Sequence, residues 1–432
     1  MKKIAAILRN KDILNRILFT FAIFLIFRIG SAITIPGVTV SDNAFSSGDI
    51  LGLMNLMGGG SLQSFSLFAL GVSPYITSQI IVQLLQMDVL PKLTELGKEG
   101  ESGRKKIEMT TRYLTILLGA VQAYGIIVTM QNSQGLTLED TSPWGYARII
   151  VYLLGGTMLL MWIADQITQK GLGNGISMII FAGIVARLPS AVYELIRGVR
   201  NEDINVVFVV VAVFLFLAII GLVVFEQSGE RKIPVHYAKR VVGRKMYGGQ
   251  STYIPFKINP SGVIPIIFAS AFLTFPLQIA NSLSTKATWL MKVAAVLNPL
   301  GFWYNFIEVL LIVFFAYFYT QVTLNPTEIA KNIRENGGSI PGIRTDKTEE
   351  YLQKVLNRLI LPGSLYLAAI ALLPTLIQIL FKFPASISML MGGTSLLILV
   401  GVDIDTMAQV EALLKMHHHD GLTKKGLKSR NL

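Results

Sequence analysis

Ten stretches of this chain stay apolar for long enough to cross a hydrocarbon core of ~30 Å. They lie at 17–35, 68–87, 110–130, 146–164, 176–193, 204–225, 261–280, 304–324, 361–381 and 386–402. The pattern is one of long unbroken blocks, not the short alternation of an element with one wet face. A lipid-embedded backbone must satisfy its own hydrogen bonds, so all ten are predicted to be helices, even where β-branched residues crowd together between Val206 and Val213. The first block resembles a secretory leader, with Lys2, Lys3, Arg9, Lys11 and Arg16 ahead of it. Its apolar run exceeds the usual ~7–15 residues and is interrupted by Arg28, so it is expected to remain as a span.

The polar segments between the blocks then set an orientation. Assigned alternately to two sides, 30 of the 38 Lys and Arg fall on one side and 6 on the other, which places both termini in the cytoplasm of a multi-pass membrane protein. An odd number of spans would have scrambled that alternation. Composition agrees: 52% of residues are hydrophobic and mean hydropathy is +0.56, more than a water-soluble domain usually carries, while the net charge of +12 is concentrated in loops. With no cysteine, disulfides, thiolate nucleophiles and cysteine metal sites are excluded.

Little in the spans can carry coupling chemistry. Ionisable residues there are Arg28 and Glu308, with Asp165 and Glu226 near the cytoplasmic ends. Ion-coupled transporters usually need more. Arg28 and Glu308 lie toward the outer ends of their spans and are expected to snorkel to the headgroups. Thr77, Ser78, Gln79 and Gln83 on the second span read as polar contacts between helices. No phosphate loop, zinc-binding His-Glu-x-x-His or nucleophile elbow is present. Gly171-Leu172-Gly173-Asn174-Gly175 has a cradle-like composition but joins two spans, so a tight turn is expected. His417, His418 and His419 are adjacent and cannot all face one ion on a helix, so no metal site is assigned to them.

Two features go beyond a bundle of spans. Gly58-Gly59-Gly60-Ser61-Leu62-Gln63-Ser64-Phe65-Ser66, followed by Gly71 and Pro74, is too polar and glycine-rich for an ordinary membrane helix. A broken helix at membrane depth is tolerated where it is buried in protein or lines an aqueous cavity, which implies a pore or substrate cavity. The loops 88–109, 226–259 and 325–360 are long and charged, and are expected to protrude as a docking surface. In the second, Val235–Val242 and Ser251–Ile258 flank Gly248-Gly249 and predict a hairpin. Five spans on each side of that loop suggest an N-terminal half over 1–193, a C-terminal half over 194–410 with inverted topology, and a basic tail over 411–432.

Several motifs are specific. Gly97-Lys98-Glu99-Gly100-Glu101-Ser102-Gly103-Arg104-Lys105-Lys106 resembles the first large cytosolic loop of the SecY family of channels. Gly173-Asn174-Gly175-Ile176-Ser177, Gln250-Ser251-Thr252, Gly262-Val263-Ile264-Pro265, Asn325-Pro326-Thr327-Glu328, Pro341-Gly342-Ile343-Arg344 and Gly392-Gly393-Thr394-Ser395-Leu396-Leu397 follow in the family's order. The similarity runs from about residue 10 to 410, lapsing near 131–145 and 281–303 and ending before the tail.

That resemblance implies an all-α polytopic protein of ten transmembrane helices, two inverted five-helix halves around a pore for unfolded polypeptides, in the bacterial cytoplasmic membrane. The apolar pore ring would be Val72, Ile76, Ile180, Ile267 and Ile398, able to exclude water while adapting to a passing chain. Val72 stands where isoleucine is commoner, so a slightly wider constriction is expected there. The plug would be Gly58, Gly59, Gly60, Ser61, Leu62, Gln63, Ser64 and Phe65, extending over 58–66, with glycine supplying freedom to move. A lateral gate toward lipid would carry Thr77, Gln79 and Ala271, where signal peptides exchange water for membrane lipid. Arg244 and Arg344 would engage the SecA motor ATPase or the ribosome, and SecE-like and SecG-like small membrane subunits are implied. No cofactor or enzymatic activity follows, because the energy source is external. A secondary transporter for a small solute is the alternative, and a purely structural membrane scaffold the third reading.

Overall fold

Each predicted span meets a helix in the computed structural model, which describes residues 10–41, 60–86, 90–132, 135–201, 206–237, 240–242, 245–247, 251–283, 292, 296–298, 301–381 and 393–428. In chain order the helices are α1 (Lys11–Ala32), α2 (Ser73–Gln86), α3 (Pro91–Lys98), α4 (Glu101–Asn132), α5 (Pro143–Lys170), α6 (Gly175–Arg200) and α7 (Val206–Gln227). They continue as α8 (Ile264–Leu283), α9 (Phe302–Thr323), α10 (Pro326–Glu335), α11 (Thr348–Phe381) and α12 (Gly393–Lys428). Among the described residues, α1, α4, α5, α6, α7, α9 and α11 are the ones long and apolar enough to cross a membrane by length and composition. The three other predicted spans meet α2, α8 and the start of α12, with 386–392 of the last lying outside the described residues.

Helix starts follow local chemistry. Asn10, Ser142, Asn174 and Asn325 cap α1, α5, α6 and α10, their side-chain oxygens accepting amide N–H groups two or three residues on, and prolines open α5 and α10. Two of the family motifs, Gly173-Asn174-Gly175 and Asn325-Pro326-Thr327, are therefore helix-start signals as well. Large apolar side chains point away from the bundle, including Phe21 and Leu25 on α1, Phe214 and Phe225 on α7 and Trp303 on α9. Such a surface belongs in lipid.

The two sequence halves meet along two seams. α8 packs against α2 and α4, and α12 packs against α6, while α9 lies between α8 and α11. Small residues bring the backbones close: a Cβ on Gly156 of α5 would collide with the Leu67 carbonyl.

The loops 226–259 and 325–360 form one small domain. Strand β3 (Glu230–Tyr237) follows the two-strand ribbon β1 (Val38–Val40) and β2 (Leu136–Leu138), and precedes β4 (Arg240–Val242), β5 (Lys245–Tyr247), β6 (Ser251–Lys257) and β7 (Gly338–Ser339). β3 pairs antiparallel with β6, Val235 opposite Thr252, and with β7 from the other loop. The predicted hairpin is thus corrected in its first strand, which starts at Glu230 and stops at Tyr237. Ile233 and Val235 point inward between exposed Lys232, Pro234 and His236, so the alternation fixes the register earlier than the sequence reading placed it. Arg240–Val242 and Lys245–Tyr247 pair antiparallel with each other as β4 and β5, not with β6. Ile233, Val235 and Phe256 share an apolar cluster with Ala330, Ile333, Ile340, Leu352 and Leu356.

Candidate functional site

The residues of the expected ring come from near the starts of four helices. Val72 immediately precedes α2 and follows Gly71, whose φ of +58° turns the chain into the helix. Ile76 sits one turn on, its N–H donating to the Val72 carbonyl at 3.1 Å. Ile180 lies early in α6, Ile267 in the first turn of α8 and Ile398 early in α12. α8 is introduced by a closed turn in which Asn259 Nδ2 donates to Gly262 O at 3.0 Å and the Ser261 hydroxyl to Asn259 Oδ1 at 2.9 Å. All five side chains are buried in a single apolar cluster that gathers residues from α1, α2, α5, α6, α7, α8, α9, α11 and α12. The cluster is continuous across both sequence halves.

The segment before α2 behaves differently. Gly58 and Gly59 lie outside the described residues. Gly60 has a φ of +88°, available to glycine without strain, and Phe65 has a φ of +43°. Ser61 Oγ donates to Phe68 O at 2.8 Å, and Ser66 donates to Ser61 O through both its amide and its hydroxyl. Ser64 Oγ donates to Ser31 O at 3.2 Å, while Ile35 N–H meets Phe65 O and Leu67 N–H meets Ile33 O. Leu62 and Phe65 are buried against Ala123, Ile126 and Met130 of α4 and Leu153 of α5, in a cluster separate from the ring. Of the expected plug, Ser61–Phe65 is therefore a bonded knot, and among its described residues the glycine conformation falls at Gly60.

On the expected gate, α2 and α8 touch. Thr77 is buried with its hydroxyl turned back to Ser73 O at 3.1 Å, Gln79 is half-buried, and Ala271 lies in the ring's cluster. A polar link beside this contact is one the sequence reading missed: Gln278 Nε2 on α8 donates to Gln122 O on α4 at 2.8 Å, both residues buried. A glutamine in an apolar helix was the available signal. Of the two arginines expected to engage cytosolic partners, Arg244 lies outside the described residues. Arg344 precedes a short 3-10 turn at Thr345–Lys347, fully projecting, with Asp346 at 3.5 Å. An exposed pair of this kind adds little stability and leaves the guanidinium available.

The ionisable groups of the spans depart from expectation in one place. Glu308 does not snorkel: it is buried on α9 beside Tyr304, whose ring packs with Leu273 and Leu277 of α8. Arg28 is exposed and lines a cavity. Arg112 on α4 bridges Glu108 at 2.6 Å and Asp165 on α5 at 2.7 Å. Beyond the spans, hydrogen bonds from the Ser142 hydroxyl and amide, with Arg148 nearby, hold the Asp140 carboxyl below its ordinary range. The Gly171–Gly175 turn has no room for phosphate chemistry, since its N–H groups are taken: Leu172 by Thr20 Oγ1, Gly173 by Gln409 Oε1, Gly175 by Thr168 Oγ1. Among the described residues no group of His, Asp and Glu could hold a metal.

Known proteins resolve what this arrangement belongs to. The SecY family model matches residues 66–407. The chain belongs to the SecY family. It is 43% identical to the Protein translocase subunit SecY of Halalkalibacterium halodurans over 98% of this chain and 100% of that one, and 43% identical to that of Bacillus subtilis over 98% and 99%. Its fold is that of a solved protein conducting channel, with TM-score 0.67 at 19% identity over 92% of each chain. It also resembles Sec61 from the canine ribosome-channel complex of the endoplasmic reticulum, with TM-score 0.61 at 17% identity and 92% of each chain covered. As a SecY-family chain it is a multi-pass membrane protein and a channel subunit for protein translocation. Nothing in these likenesses supports the solute-transporter reading.

Proposed function

We propose that the chain is the pore-forming subunit of a bacterial Sec translocase, with both termini cytoplasmic, passing unfolded secretory polypeptides across the cytoplasmic membrane and releasing apolar segments sideways between α2 and α8. The observation that carries this is the joint burial of Val72, Ile76, Ile180, Ile267 and Ile398 in one apolar cluster spanning both halves. Branched aliphatic side chains there exclude water when the helices close and part around a chain when they separate, without breaking a side-chain hydrogen bond. The halves 1–193 and 194–410 act as the two jaws, the segment 58–66 seals the face opposite the basic loops, and Thr77, Gln79 and Ala271 line the lateral exit.

Force comes from outside the chain. The domain built from 226–259 and 325–360 presents Arg244 and Arg344 to SecA or to a ribosome, and SecE-like and SecG-like subunits cover lipid-facing helices. Depleting the chain in cells should cause secretory precursors to accumulate with their signal peptides uncleaved; unchanged secretion would defeat the proposal. Arg344→Glu should impair motor-driven export while the resting membrane stays electrically tight. Normal export by a mutant at matched membrane levels would remove Arg344 from the docking surface.

A further inference from the structure

Two turns past Ile398, ~10 Å along α12, that helix is bonded to two separate parts of the chain. Asp405 Oδ1 lies 3.3 Å from the Nζ of Lys257, the last residue of β6. One turn further on, Gln409 Oε1 accepts the Gly173 N–H at 2.8 Å, and the Thr406 hydroxyl donates to Met178 Sδ on α6 at 3.7 Å. Val410 is buried with Leu172 and with Ile13 of α1. This stretch of α12 is therefore anchored on the N-terminal half. Lys257 belongs instead to the root of α8: β6 pairs with β3 over seven residues, and the Asn259–Gly262 turn leads from β6 straight into that helix. The root and α12 lie close, since a Cβ on Gly401 would come within 2.9 Å of Val263 Cγ1. A cavity of about 200 Å³ lined by Lys257, Asp405, Gln227 and Asn259 gives the lysine room to move. Glu226, buried at the end of α7, lies within electrostatic reach of the same ammonium.

We propose that Lys257 and Asp405 are positioning residues that latch the closed channel, tying the root of α8 to the part of α12 held by the N-terminal half. The inference rests on the channel reading above. α8 parts from α2 only by moving relative to the N-terminal half, while α12 around Asp405 stays with that half through Thr406 and Gln409. Opening therefore draws Lys257 and Asp405 apart. An interaction shifts an equilibrium only by the difference it makes between the two states, and this pair is formed where the ring side chains are packed together. Release does not strand the lysine, because Glu226 remains beside it. A partner that displaces the β3–β6 sheet displaces Lys257 with it, so docking and unlatching are one movement. Both side chains reach solvent, which makes the latch weak: its loss should shift closed against open by about two- to fivefold.

The test is secretion, in cells depending on this chain, of one precursor in two forms, with an intact and with a defective signal sequence. Asp405→Asn and Lys257→Gln should each raise the defective-to-intact ratio about two- to fivefold over the parent at matched membrane levels. The two substitutions together should raise it no further than Lys257→Gln alone, because each removes the same contact. Lys257→Arg keeps the charge and should keep the parent ratio. A pair that only stabilised the fold would lower the membrane level and leave the ratio where it was. A parental ratio in Asp405→Asn overturns the latch, as do single effects that multiply in the double variant. If Lys257→Gln does not accumulate, Asp405→Asn alone decides, since its side chain is exposed and its shape is kept. Failure of the intact form to depend on this chain for secretion would instead overturn the channel reading.

Discussion

Two apolar clusters lie close together around the start of α2, and they are held by different forces. The knot formed by Ser61–Leu70 against α4 and α5 buries Leu62, Phe65, Ala69 and Leu70, and threads that burial with directional bonds from Ser61, Ser64 and Ser66. The ring cluster joins the two halves with hydrocarbon side chains alone at Val72, Ile76, Ile180, Ile267 and Ile398. Hydrogen bonds tie a segment to one geometry and are costly to leave unmade in an apolar setting. Dispersion contacts can be surrendered a few at a time and remade against a different surface. A channel needs both: an anchor that holds the broken helix in place, and a seal that can yield to any side chain.

Breaking the anchor should have the largest effect. Phe65→Ala removes a fully buried ring from between α4 and α5 and should cost about 3 to 5 kcal/mol of stability. Thermal unfolding of the purified chain in mild detergent reads this as a clear fall in midpoint. A midpoint within error of the parent would mean that the knot is not a structural anchor.

Neighbouring positions on α12 sharpen the other side of the comparison. Leu397 and Ile398 are both buried in the ring's cluster. An asparagine at a position that only packs against other helices buries an amide, which costs ~1 to 3 kcal/mol and chiefly reduces folded protein. An asparagine facing the pore axis can be hydrated, so the closed state loses its advantage; a differential of ~1.4 kcal/mol shifts closed against open about tenfold. Leu397→Asn should therefore lower the membrane level of the chain. Ile398→Asn should instead increase secretion of a precursor with a defective signal sequence, at matched levels. The same phenotype from both variants would dissolve the distinction between ring and packing.

The spans were legible because a hydrocarbon core demands about twenty apolar residues in a row, and caps such as Asn174 and Asn325 announce helix starts in the local sequence. The ring was not legible from residue type. Ile180 in an apolar helix looks like any other isoleucine, and only the family motif singled it out. Burial of Glu308 was missed because depth in the membrane was inferred from position along α9, while its surroundings are set by Tyr304 and by α8, which lies elsewhere in the chain. The union of the two basic loops escaped for the same reason: β7 joins β3 across about a hundred residues, a pairing that no local periodicity encodes.

The smallest expected effect lies at the seam between the halves, where Gln278 Nε2 reaches Gln122 O. That carbonyl belongs to α4, so it retains its helical N–H partner if Gln278 is lost, and the net contribution of a bond of this kind inside a membrane protein averages only ~0.6 kcal/mol. Gln278→Leu keeps the volume apolar and should leave the folded level unchanged. If the bond helps hold α8 against α4, the closed seam should nevertheless loosen by about threefold, the factor that ~0.6 kcal/mol represents. Because the chain has no cysteine of its own, a cysteine pair introduced across α2 and α8 can report this as a change in oxidative cross-linking rate. Cross-linking should slow in Gln278→Leu relative to the parent pair. An unaltered rate would show that the seam, like the ring, closes on apolar packing alone.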